Sequence, residues 1–333
     1  MAKVYATKPY NLCQIGKETT KGTAVATTAV MRGPFAMAIP NGDPEVLDEA
    51  VGSRIIGERN APAPLTDVSL AMPEMALSYE QFPYLLEASV KPVTPSGSSP
   101  YTYEYEPSDT SPDARTYTLR LGNKLVATDQ QIVPFSWVEE WKATYKSDQA
   151  TWRMSATWRG QRMYAGAFTN SVALPSVVEA LTGNTRLYID NSGGTIGTTE
   201  APGVLLEFSL TYRSGIRWVP IGGSNRYPAA LKFGKPSVDF TIRYELEEDT
   251  GVSRVATERA AADAGTLRLI RVKCPGTGSR DLIFDMAAKY RKPGGYDEQD
   301  ENVNVAFDGY ATYSSADALF FKTTVINLLS SLT

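Results

Sequence analysis

Between Val238 and Glu247 the chain alternates without a break. Val238, Phe240, Ile242, Tyr244 and Leu246 fall on one side, and Asp239, Thr241, Arg243, Glu245 and Glu247 on the other. A period of two marks a strand with one buried face. Trp152, Met154, Ala156 and Trp158 repeat the pattern, as do Phe208, Leu210 and Tyr212, Leu282 through Tyr290, Val303 through Phe307, and Tyr117 through Leu121. Phe135 to Tyr145 alternates too, with Glu139 breaking the apolar face. A chain built this way is constrained to a mainly β fold whose sheets each turn one face to a core.

Helix signals are few. Ser253 to Ala264 is rich in alanine, carries an Arg254/Glu258 pair four apart, and is followed by Gly265. Those features predict a helix with Ser253 as N-cap and Gly265 as the residue just past its end. A shorter helix is predicted from Pro83 to about Ser89, where the proline's missing N–H costs nothing at the first position.

The order of elements suggests a duplication. Strands near 205–213 and 236–247, a helix at 253–264, then strands at 266–274, 280–291 and 301–313 echo an earlier series. That series is 27–38, 66–77, a helix at 83–89, 115–122, 131–146 and 150–164. In this matching Phe135–Trp141 falls on Phe284–Tyr290, and Trp152–Trp158 on Val303–Gly309. Turn-forming residues crowd 40–64, 91–100 and 190–203. The expected organisation is an arm over 1–26, a first domain over 27–166, a linker with a hairpin over 167–203, and a second domain over 204–333.

Composition excludes several chemistries. Among 333 residues there is no histidine, the commonest metal ligand and neutral-pH base. Cys13 and Cys274 lie in no metal-ligand spacing and read as reduced thiols. The formal net charge is -4, the opposite of a protein that grips phosphates. Glu139-Glu140, Glu247-Glu248-Asp249 and Asp297-Glu298 are acidic clusters, but neighbours on a strand point to opposite faces and make no glycosidase pair. The run from Asp297 to Asn302 lacks the spacing and glycine of a calcium loop. Gly193-Gly194 and Gly222-Gly223 read as turn glycines. No catalytic residue, metal ligand or cofactor is expected, and the chain is read as no enzyme. The N-terminal stretch has no signal-peptide core and no segment reaches transmembrane length, so synthesis in a cytoplasm is expected. Trp137, Trp141, Trp152 and Trp158 sit on alternating strand faces, which favours packing in the core or between subunits over a ligand platform.

The stretch Gly16-Lys17-Glu18-Thr19-Thr20-Lys21-Gly22-Thr23-Ala24 resembles the opening of the tail tube proteins of long, non-contractile phage tails, in their two-domain form. Arg54-Ile55-Ile56-Gly57, Thr185-Arg186-Leu187-Tyr188-Ile189-Asp190 and Val325-Ile326-Asn327-Leu328-Leu329 are similar in order. The resemblance implies two tandem β-sandwich domains, each with one flanking helix. It implies sheets that join between subunits into a closed β-barrel tube, in stacked trimeric rings of pseudo-sixfold symmetry. It also implies a virion tail location after assembly in the bacterial host cytoplasm, and viral DNA passing through the lumen without specific binding. Tape measure, tail terminator and tail tip proteins are the implied partners, with no membrane. The arm and long loops are expected to order only on assembly. On this reading the lumen is acidic or neutral, with Glu139 and Asp285 as candidate lumen-facing residues. The competing readings are another phage structural or receptor-binding β-sandwich protein (an adhesin or lectin-like module), a glycoside hydrolase on a β scaffold, and an outer-membrane barrel. The missing signal peptide, the unplaced carboxylate pair and the predicted helices count against these in turn.

Overall fold

The computed structural model describes residues 7–33, 35–36, 38–41, 66–108, 110–219, 227–246, 253–299 and 302–332. Arg54–Gly57, and nearly all of the 40–64 loop, lie outside them. The chain is mainly β. Its strands are β1 (Asn11–Lys17), β2 (Ala29–Met31), β3 (Ile39–Pro40), β4 (Val68–Ala76), β5 (Tyr101–Tyr105), β6 (Tyr117–Asn123), β7 (Gln131–Lys146), β8 (Arg153–Gly160) and β9 (Tyr164–Ala165). They continue as β10 (Arg186–Asn191), β11 (Leu205–Arg213), β12 (Ile216–Val219), β13 (Ala230–Phe233), β14 (Ser237–Glu245), β15 (Arg268–Pro275), β16 (Asp281–Gln299), β17 (Asn302–Ala311) and β18 (Phe321–Asn327). Among the described residues two α-helices accompany them, α1 (Phe82–Ser89) and α2 (Arg254–Asp263).

Among the described residues all strand pairings are antiparallel. One broad sheet runs β3-β4-β8-β7-β11-β14-β17-β16. A second runs β10-β15-β16-β18-β5, and a third β9-β7-β6-β1-β2. β7 and β16 each serve two sheets: their first halves pair in one and their second halves in the other. The inner faces of the first two sheets meet in a common core. Phe284 of β16 packs 6.3 Å from Trp141 of β7 and 5.7 Å from Trp152, while Phe321 of β18 lies 5.7 Å from Tyr212 of β11. α1 is buried along its whole length, with Phe82 edge-on to Trp141 at 5.1 Å.

The pairing pattern repeats within the chain. β1-β6-β7-β8-β4 in the first half has the same neighbour relations as β10-β15-β16-β17-β14 in the second. Even a register shift recurs: the one after Val138, opposite Trp158, matches the one after Tyr290, opposite Gly309. This corrects the sequence matching of β7 with β16. Val138 corresponds to Tyr290 rather than Ala287, three residues further along. Bulges do not register in an alternation pattern, which explains the slip. The two halves also share one sheet, through β7 against β11, and one hydrophobic cluster.

The α2 signals hold in detail, whereas α1 starts one residue before Pro83, which sits at its second position rather than its first. Ser253 accepts from Ala256 N–H at 3.3 Å, Arg254 lies 3.8 Å from Glu258, and Gly265 has φ +62°. Two expectations need correcting. Residues 1–26 are not all arm: β1 is an inner strand, paired to β2 on one side and β6 on the other. The 167–203 stretch is not only a linker, since β10 pairs along its length with β15. Short strands β5, β12, β13 and β18 carried too little alternation to be read.

The opening motif has a local physical role. The Glu18 carboxylate is buried and accepts four hydrogen bonds. They come from Gly22 N–H (2.9 Å), the Thr116 hydroxyl (2.8 Å), the Thr118 hydroxyl (2.9 Å) and Phe135 N–H (2.8 Å). Phe135, at φ +52°, is the corner where β7 leaves one sheet for the next. Gly16 has no room for a Cβ, which would meet the Ala26 carbonyl oxygen at 2.5 Å.

Candidate functional surface

The outer face of the broad sheet carries the polar half of every alternating strand. Across it run two rows of opposite charges. In the first, Arg291 of β16 donates to Asp239 of β14, which also accepts from Arg213 of β11 at 2.5 Å; Arg213 reaches Glu140 of β7 at 2.8 Å. In the second, Asp297 of β16 accepts from Arg243 of β14 at 2.7 Å. Arg243 Nε lies 3.3 Å from Glu207 of β11 without hydrogen-bond alignment, and Glu207 pairs with Lys146 of β7 at 3.0 Å. The rows have opposite polarity, plus-minus-plus-minus against minus-plus-minus-plus. Between them Thr144, Ser209, Thr241 and Asp308 face one another across four strands, with Thr241 donating to Asp308 at 2.6 Å.

The rows follow from register. A period of two puts every second residue on this face, and antiparallel pairing sets them side by side within reach of long side chains. Burial alone would raise the Asp239 carboxyl, but the Arg291 and Arg213 hydrogen bonds outweigh it and hold it below the ordinary carboxylate range. Hydrogen bonding from Arg243 does the same for Asp297. The Asp239 hydrogen bond raises Arg213, and the Glu207 hydrogen bond raises Lys146. Within each row, every charge therefore stands beside one of opposite sign.

The two acidic candidates from the sequence part company. Glu139 lies on this face, at the β7 bulge, and accepts from Arg159 Nε at 2.7 Å. Asp285 lies on the second sheet, 6% exposed, and accepts from Nε and Nη2 of Arg271 at 2.7 and 2.8 Å. Neither is a lone charge. The four tryptophans are all buried. Trp141, Trp152 and Trp158 belong to the main core, whereas Trp137 packs in a small separate cluster with Ala114 and Ile216 beneath β12 and β13. The row residues Arg213, Asp239, Arg243 and Glu207 were visible in the sequence only as polar positions on separate strands.

Among the described residues no group of three or more His, Cys, Asp or Glu side chains could hold a metal ion, and no helix is long and apolar enough to cross a membrane. No protein-family model matches the sequence, and no curated protein matches it.

Proposed function

We propose that the chain is a self-assembling structural protein of the β-sandwich class, one whose broad sheet continues from copy to copy. More particularly, we infer a phage tail tube protein, with stacked trimeric rings enclosing a β-barrel through which DNA passes. The observation that carries this reading is the internal repeat of strand pairings, joined in the middle by β7 against β11. A chain holding two copies of one fold, already paired edge to edge, has half the symmetry of a closed ring built in. Closing a sheet on itself removes the free edges that otherwise invite aggregation.

The charged rows fit a conduit. A wall of unpaired lysine and arginine would bind phosphates with a steep salt dependence. Here each row cation already has a carboxylate partner on the same face. On this reading the two repeats are the units expected over 27–166 and 204–333, extended to include β1 and β10; the partners are the tape measure, terminator and tip proteins, and the location is the virion tail.

Negative-stain electron microscopy of the concentrated protein tests the reading. Hollow tubes with a regular axial repeat, or rings of three two-lobed subunits, are expected. Compact oligomers that never stack would overturn it and favour a receptor-binding module.

A further inference from the structure

Each side of the β7–β11 joint has a counterpart at one end of the broad sheet. β3 pairs with β4 as β11 pairs with β14. Leu70 opposite Trp158 matches Phe240 opposite Gly309, so Pro40 opposite Val68 corresponds to Tyr212 opposite Val238, and Ile39 to Thr211. The second half of β16 corresponds to that of β7: Trp141 matches Pro293, and Ala143 matches Tyr296. Lys142 falls at Gly294–Gly295, where β16 holds one extra residue. Among the described residues, β3 has no strand on its side away from β4. β16 beyond Tyr290 has none on its side away from β17.

We propose that these two edges join between copies of this chain. Ile39–Pro40 of one copy lies against the Pro293–Tyr296 stretch of the next, in the register of β11 against β7. The inference rests on the ring reading above and names the strands that close the ring. Three exposures support it. Ala143 is 0% exposed within the joint, but its counterpart Tyr296 is 63% exposed. Trp152 is 0% exposed, and its counterpart Val303 is 41%. Ile39, on the opposite edge, is 63% exposed. The first repeat thus has cover that the second lacks, and a second copy presents the same kind of cover. Such a contact is head-to-tail, which builds rings when the rotation closes. Each edge also carries a proline without an N–H donor, Pro40 and Pro293, and β16 has two register shifts. These blunt the edges against arbitrary strand addition.

A paired-cysteine experiment on the full chain tests this. Thr211 sits opposite Lys142 in the joint, so Ile39→Cys with Gly295→Cys samples the equivalent position between copies. A side chain at Gly295 meets nothing within 4 Å, and Cys13 and Cys274 are buried. Mild oxidation of concentrated protein should give covalent multimers on a denaturing gel, and neither single variant should. Thr211→Cys/Lys142→Cys is the control, and should link within one chain. Unlinked Ile39/Gly295 chains beside a linked control would overturn the edge assignment. If rings or tubes are then visible by microscopy, the ring reading survives without it; if no assembly forms, both fall.

Discussion

The Glu18 carboxylate accepts the Phe135 N–H at 2.8 Å, tying the loop after β1 to the corner of β7 across 117 residues of sequence. Phe135 is a bulky residue at positive φ, a conformation that persists only when its surroundings hold it. Replacing Glu18 by alanine strands the buried Phe135 N–H, two buried threonine hydroxyls and the half-buried Gly22 N–H. A loss of about 2–4 kcal/mol is expected, from unsatisfied buried donors. Urea denaturation at constant m-value measures it; a loss within about 0.5 kcal/mol, the range of ordinary surface changes, would refute the role.

The tryptophans should separate by cluster. Trp141 stacks on Tyr212 at 5.5 Å, packs on Phe82 and donates to Ser89 at 3.1 Å. Trp141→Ala should cost about 3–5 kcal/mol globally. Trp137 lies under a two-stranded ribbon, and its indole N–H has no hydrogen-bond partner among the described residues. Trp137→Ala should accelerate amide exchange in β12 and β13 first, because an isolated two-stranded ribbon is marginal without its support. Uniform exchange across all strands in that variant would argue against a separable cluster.

The charged rows make a prediction about nucleic acid. Glu140→Gln, Glu207→Gln, Asp239→Asn and Asp297→Asn together remove four negative charges, taking the formal net charge from -4 to 0. The cations of both rows are then uncovered. The unaltered protein should leave labelled duplex DNA free at about 0.15 M salt, whereas the variant should bind it. The slope of log K against log salt should be about -0.9 per phosphate contacted. Fluorescence anisotropy reads both. Tight binding by the unaltered chain would undo the idea that the rows cover their own cations. The fold should barely notice, since exposed pairs each contribute about 0–1 kcal/mol.

Acid should loosen the chain through Asp190. Burial alone would raise Asp190, yet hydrogen bonds from Thr198, Thr199 and Gly197 hold its carboxyl below the ordinary range. A carboxyl depressed in the folded state contributes stability above its unfolded pKa, and that stability disappears as pH falls through the folded value. Glu258 acts oppositely: burial raises it, ahead of the lowering effect of Arg268, so folding favours its proton. Its effect is a loss of stability as pH rises from the ordinary glutamate range to the raised value. Asp190→Asn should therefore flatten the decline of the melting temperature below about pH 4, near the ordinary aspartate value. Glu258→Gln should flatten the pH dependence just above the glutamate range. An unchanged acid profile for Asp190→Asn would remove that residue from the account.

Most strands and both helices were legible in the sequence because their causes are local. Val238–Glu245 alternates because one face is buried, and Ser253 and Gly265 bracket α2 through their own backbone preferences. Even the repeat showed in the order of elements. What no local pattern carries is which strand lies beside which. Thr211 meets Lys142, and Asp239 meets both Arg213 and Arg291, only through pairings of segments far apart in the chain. The charged rows, the shared core and the matching edges exist only once that register is set. Register depends on the whole sheet: a one-residue slip would turn every apolar side chain of a strand outward, so the collective burial of the core selects it.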